Sequence, residues 1–261
     1  MKKILIVSTL IFCSFLSAQE DPYIMRIHEM EVSGDINAFI QAQKTYYKAI
    51  AKDAVARKKW AGWACLQSVT DPNHFIFIHH FDSPEQFEGT SQNDIWSEDI
   101  PKRLGLTAPD LSAVSANQFT AAQHLYQGID NAMSGSPSNY WYINFFKADN
   151  TQTFVANNAL FGEEVVKPQL GKGNHRNNWA YGLRLTNANW DQNQGMLSYN
   201  GISFDGYASL AKALRSTAYS ENATPNKFQE NFNKKVVAKK LQNGFSEIHR
   251  TLYRVIDNTW R

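Results

Sequence analysis

The sequence predicts an α+β protein made of two successive β-α-β-β-α-β units whose antiparallel sheets pack against one another. Three observations predict it. Strand-like and helix-like segments follow that order twice along the chain. Trp63 and Trp179, each inside a strand that mixes small and aromatic residues (WAGWACLQ and NNWAYGLRL), lie 116 positions apart, and the same step carries Ile27 onto Ile143 in a matching strand. The chain has 261 residues, 43% apolar and 13% aromatic, enough to bury a full core.

The first element is not expected to belong to the fold. MKKILIVSTLIFCSFLSAQE starts with two lysines, continues through an apolar run from Ile4 to Leu16 and ends in small residues. That is the pattern of a secretory signal peptide, expected over 1–18 with cleavage after Ala18. The run is too short to span a membrane, which takes about 20 apolar residues. Periplasmic or secreted localisation follows as the expectation. Cys13 would leave with the leader, so Cys65 stands alone and no internal disulfide forms. The net charge of +2 gives no strongly basic face, and no nucleic-acid partner is expected.

The first unit is expected over 19–128. YIMRIHEMEV (23–32) reads as a strand. Over 33–58, Phe39, Ile40, Tyr47, Ile50, Ala54 and Val55 recur near helical spacing behind Asp35, a suitable N-cap. WAGWACLQSV (60–69) and HFIFIHHF (74–81) are strands joined by the turn TDPN. Ser83-Pro84-Glu85-Gln86 starts a helix to about Gln92, with Ser at the N-cap, Pro at the first position and Gln reaching back. The run 110–126 holds a fourth strand, and Gly, Ser, Pro and Asn at 129–138 predict a linker.

The second unit is expected over 139–261. NYWYINFFKA is a strand, and 151–167 is a helix stopped by Pro168 and Gly171. The strands 177–185 and 194–204 form a hairpin across TNANWDQN. DGYASLAKAL is a short helix, a further helix starts at Thr224-Pro225, and EIHRTLYRVIDN closes the unit as a strand. Residue identities between the halves are near chance, so the duplication rests on element order and spacing.

Each sheet has a helix-covered face and a face toward the other sheet. Met25, Ile27 and Glu29 match Trp141, Ile143 and Phe145, mostly apolar, and are assigned to the helices. Arg26, His28 and Met30 match Tyr142, Asn144 and Phe146 and are assigned to the space between the sheets. Gly62 and Ala64 would let a helix approach closely, which sends Trp63 into the same inter-sheet space, with Trp179 and Tyr181 as its counterparts.

β-α-β-β-α-β is the ferredoxin-like pattern. Across nearly the whole mature chain the arrangement resembles the dimeric α/β-barrel superfamily, with its antibiotic-biosynthesis-monooxygenase-like, EthD-like and NIPSNAP-like members. The resemblance implies two ferredoxin-like repeats whose antiparallel sheets pack as a pseudo-dimeric α/β barrel. It implies chemistry as varied as cofactor-independent monooxygenases, isomerases and haem proteins, and its architecture alone fixes none of these.

The residues support three readings. The first is an exported protein binding a small molecule between its sheets, with Trp63, Trp179, Tyr142 and Tyr181 as the walls. The second is a cofactor-independent monooxygenase or isomerase, with His28 as base beside Arg26 and with Asn144 or Tyr142 holding an oxyanion. A cation next to a buried imidazole favours the neutral ring such a base needs. The third is a structural or interaction protein with a filled barrel, for which the same aromatics are packing. His79 and His80 adjoin in a strand and point to opposite faces, so one metal cannot easily take both. No HExxH, CxxC, EF-hand, GxSxG or phosphate-loop spacing exists, and no metal site is expected. Haem would need one histidine in a large apolar pocket, and His175 in GKGNHRNN is the loop candidate. Cys65, without a basic neighbour, reads as a buried, unreactive thiol. The chain is expected to be a monomer or a homodimer.

Overall fold

The computed structural model describes residues 22–185, 199–215, 227–242 and 244–260, with the backbone alone for 117–123 and Glu247. The expected leader, the loop TNANWDQN and the start of the helix at Thr224-Pro225 lie outside the described residues. The strands are β1 (Ile24–Gly34), β2 (Gly62–Ser68), β3 (His74–Phe81), β4 (Val114–Met133), β5 (Tyr140–Lys147), β6 (Asn178–Arg184), β7 (Gly201–Tyr207) and β8 (Glu247–Trp260). They close into one antiparallel barrel in the order β1-β3-β2-β8-β5-β7-β6-β4. The first four strands therefore run β4-β1-β3-β2 and the last four β8-β5-β7-β6. Two seams join the sets: β2 to β8 and β4 to β6.

Helices cover the outside. α1 (Ile36–Ala42) passes through a π turn (Gln43–Tyr47) into α2 (Lys48–Ala56). The Asp35 side chain accepts the Ala38 N–H at 2.9 Å, the cap the sequence predicts. α3 (Pro84–Glu88) is shorter than expected, although Ser83 caps it, and Gln86 accepts the Asp82 N–H one residue before the cap. α4 (Asn93–Trp96) and α5 (Asp99–Arg103) follow. In the second half α6 (Thr151–Phe161) runs into its own π turn (Gly162–Val166), with α7 (Leu210–Leu214) and α8 (Lys227–Ala238) behind it. No described helix is long and apolar enough to cross a membrane.

β4 continues to Met133, with Asp130–Met133 paired to β6, and 134–139 join β4 to β5. Pairing to β6 gives this end of the strand backbone partners whatever its side chains, which lets Asp and Asn extend it.

The faces of the strands are the reverse of those expected. Met25, Ile27, Ala64, Leu66, Ile76, Ile78, Ile143, Phe145, Ile202 and Phe204 form one buried cluster inside the barrel. Trp63, Cys65, Phe75 and Phe77 belong instead to the cluster containing Phe39, Ile50, Ala54 and Val55 of the helical layer. Trp179 and Tyr181 pack with Phe154 and Val166 on the other helical layer. The reason lies in closure. An eight-stranded barrel has an interior just wide enough for side chains, and it is crowded where strands converge. The small residues belong there: a Cβ on Gly62 would lie 1.8 Å from the Trp260 ring. The bulky residues need the wider layer under the helices. Isoleucines 27, 76, 143 and 202 are at 0% exposure, so the middle of the barrel is packed. One mouth remains hollow, a cavity of about 410 Å³ lined by Tyr23, Met25, Ile78, Trp141, Phe204 and Trp260 among others.

Candidate functional site

The second cavity, about 480 Å³, lies between the helical layer and the outer face of β1, β2 and β3. Period-2 alternation places Arg26, His28 and Met30 of β1 on that face, and the register sets Arg26 beside His79 and His28 beside Phe77. Trp63 follows on β2, paired with His79. Phe39 of α1 forms part of the opposite wall, with Gln43 and Tyr47 at the two ends of the π turn. π turns are often found at functional sites. Gln92, Trp96 of α4, Leu111, Val114 and Ala116 complete the lining.

The electrostatics are one-sided. Arg26 is the one charged side chain among the described lining residues, none of which is Asp or Glu. Among the described residues its buried Nε has no hydrogen-bond partner. Burial holds the guanidinium below its ordinary value. The His28 and His79 rings meet edge to face, 4.8 Å between centroids. Burial, then the charge of Arg26, then His124, push His28 down to about 3. His79 lies well below the usual histidine range, through burial first and then His28 and Arg26. Both imidazoles are therefore neutral at pH 7. The site offers a cation, two neutral imidazoles and aromatic walls from Phe39, Tyr47, Trp63, Phe77 and Trp96.

The expected residues do not all meet here. Arg26, His28 and Trp63 do, although on the helical side and not between the sheets. Asn144, Tyr142, Trp179 and Tyr181 belong to the other half. Tyr142 packs with Tyr207 and Leu210, while Trp179 and Tyr181 are buried packing groups. Asn144 donates to Ser203 Oγ and Asp205 Oδ2, each at 3.0 Å, and accepts from Arg250 Nε at 2.7 Å. Asp205 also pairs with Arg176, both buried. Tyr142 and Asn144 stand where Arg26 and His28 stand in the first half, and Asp205 stands where His79 does, because each faces the same partner positions in its own set of strands. Helical faces point outward on opposite sides of a closed barrel, so residues matched in this way never share a space.

His79 was missed as a site residue. Its signal was available in the alternation: in HFIFIHHF it shares a face with Phe75 and Phe77 once β1 is its neighbour. His80 lines the hollow mouth, on the opposite face as expected. His175 is half-buried in the loop before β6 and lines neither of the two cavities described. Cys65 is fully buried, and burial raises its thiol well above the ordinary value, with Asp257 adding to the effect. No group of three or more metal-ligating side chains occurs among the described residues.

No protein-family model matches the chain. No curated protein matches it. Solved structures do share its shape. A protein from Fusobacterium nucleatum, provisionally named a monooxygenase, superposes with a TM-score of 0.55 at 12% identity, over 92% of this chain and 95% of its own. A Lactobacillus acidophilus protein, also provisionally named a monooxygenase, gives 0.56 at 7% identity, over 92% and 97%. An anthrone oxidase-like protein gives 0.52 at 12% identity, over 92% and 94%. At such identities the likeness is one of fold: a ferredoxin-like α/β barrel.

Proposed function

We propose that this is an exported protein that binds a small molecule in the cavity beneath α1, beside Arg26, His28 and His79. One observation carries the reading: a roomy, aromatic-walled space of about 480 Å³ holds the half-buried cation of Arg26, whose buried Nε has no hydrogen-bond partner among the described residues. Ligand sites combine these features, an apolar enclosure with a few converging polar groups. Native mass spectrometry of protein isolated from its source tests this. A reproducible small-molecule adduct, lost when Ala116→Trp closes the rim, is expected. No adduct, or one that the variant keeps, would count against the cavity.

The reading includes an internal duplication. It is supported by the strand orders β4-β1-β3-β2 and β8-β5-β7-β6 and by a π turn in the first long helix of each half. It also includes a leader over 1–18 that delivers the protein to the periplasm or beyond. Mass analysis of the mature protein should then find Gln19 as its first residue.

A second reading is a cofactor-independent monooxygenase. The adjacency of His28 and Arg26 favours it, as do the names of the solved proteins of like shape. His28 would take a proton from an acidic C–H group, and the resulting carbanion would reduce O2, one oxygen atom entering the product and the other leaving as water. A ring held at about 3 is a weak base, which is why binding ranks first. Oxygen uptake with an anthrone-type substrate, abolished by His28→Ala, is the expected result. No uptake with the unaltered protein would end this reading.

A further inference from the structure

We propose that the cavity selects planar aromatic anions, of two or three fused rings and one negative charge, through the guanidinium of Arg26. The inference rests on the cavity being a ligand site and adds the class of ligand.

The charge balance is the first ground. Arg26 carries a full positive charge into a space whose described lining has no carboxylate, and the described residues contain no ion pair to it. A half-buried cation whose buried Nε lacks a partner among the described residues favours an anion beside it, and an anionic ligand would supply one. A carboxylate or phenolate oxygen suits a guanidinium better than any neutral acceptor, because charge-assisted hydrogen bonds are roughly twice as strong. The other half provides the contrast: there the buried Arg176 already has its carboxylate in Asp205.

The neighbouring imidazoles are the second ground. His28 and His79 stay neutral and add no competing charge. The buried His79 Nδ1, without a hydrogen-bond partner among the described residues, can donate or accept one bond, which suits a hydroxyl or second oxygen beside the anionic group. A cationic ligand would meet Arg26 with no acid to offset it.

Shape is the third ground. Trp63, Phe77, Tyr47 and Phe39 line the space, and aromatic rings favour flat partners packed in offset or edge-on geometry. A cavity of about 150 Å³ holds one benzene ring. One of about 480 Å³ has room for two or three.

The test is a charge series on one ring system: 2-naphthoate, 2-naphthamide and 2-naphthylmethylamine, titrated calorimetrically into the full mature protein at pH 7. Naphthoate should bind at least about 10-fold more tightly than the amide, a difference of about 1.4 kcal/mol, and the amine should not bind detectably. Arg26→Met should bring naphthoate down to the level of the amide and leave the amide nearly unchanged, with far-UV circular dichroism confirming the fold. If that variant does not fold, the series on the unaltered protein still decides the matter. Amide binding as tight as naphthoate overturns the inference and leaves the cavity as a ligand site. Binding by none of the three overturns both.

Discussion

Replacing His28 by Gln should make the protein less sensitive to mild acid. Burial and Arg26 hold the folded-state imidazole at about 3, against 6.5 for the free group. Because the folded value is the lower one, the unfolded chain takes up a proton that the folded chain refuses, and stability falls with pH through that interval. The contribution of the neutral ring is complete above about pH 6.5 and is lost progressively toward pH 3. For one such group the loss is about 2 kcal/mol at pH 5, and about 5 kcal/mol when fully expressed, at ~1.4 kcal/mol per pH unit. His79, lowered in the same direction, steepens the fall in the unaltered protein. Urea unfolding near pH 8 and pH 5, read by circular dichroism, measures both proteins. The unaltered protein should lose about 2 kcal/mol more between the two pH values than His28→Gln does. Equal losses would refute the reasoning, as would an NMR titration of the His28 ring with a midpoint above pH 6.

Asp205→Asn should cost about 3–5 kcal/mol in urea unfolding, because it strands the buried Arg176; a cost below about 1 kcal/mol would mean that water reaches the pair. Gly62→Ala should destabilise by about 1–3 kcal/mol, since the new methyl group meets the Trp260 ring. Adding Trp260→Ala should remove most of that penalty, and additive costs in the double variant would refute the contact. Ile143→Ala, at 0% exposure inside the barrel, should cost about 2–5 kcal/mol in the same assay. Cys65 should react with a thiol reagent only at the rate of unfolding, measured by the release of a coloured thiolate; fast labelling in native buffer would contradict its burial.

Most of the elements were legible in the sequence because their signals are local. Asp35 and Ser83 cap helices through their own side chains, and β3 occupies the span its alternation indicates. What could not be read locally was orientation. Period-2 alternation separates Arg26 from Ile27 and Trp63 from Ala64, but both sets are buried, and only the seams β2–β8 and β4–β6 decide which set turns inward. Those seams join residues far apart in the chain, such as Leu66 and Val255. The wrong face carried its consequences into the site. Arg26 and His28 were recognised as neighbours with the right effect on the imidazole, yet Asn144 was drawn in from its matching position across the barrel. His79 escaped because an apolar strand with two adjacent histidines does not show which of them faces the helices.

The two seams have a consequence for how the molecule could diversify. A barrel assembled from two identical chains is bound by its two-fold axis, and a residue that hollows one outer wall hollows the other as well. It also dissociates on dilution. Here both seams lie within one polypeptide, so each set of strands meets the other at the fixed high effective concentration of a tethered partner. Closure then needs no second molecule, and the two walls are free to differ. One wall holds an uncompensated arginine and two neutral imidazoles around an open space. In the other, the positions of matching register hold an aspartate and an asparagine, and the aspartate pairs with a buried arginine.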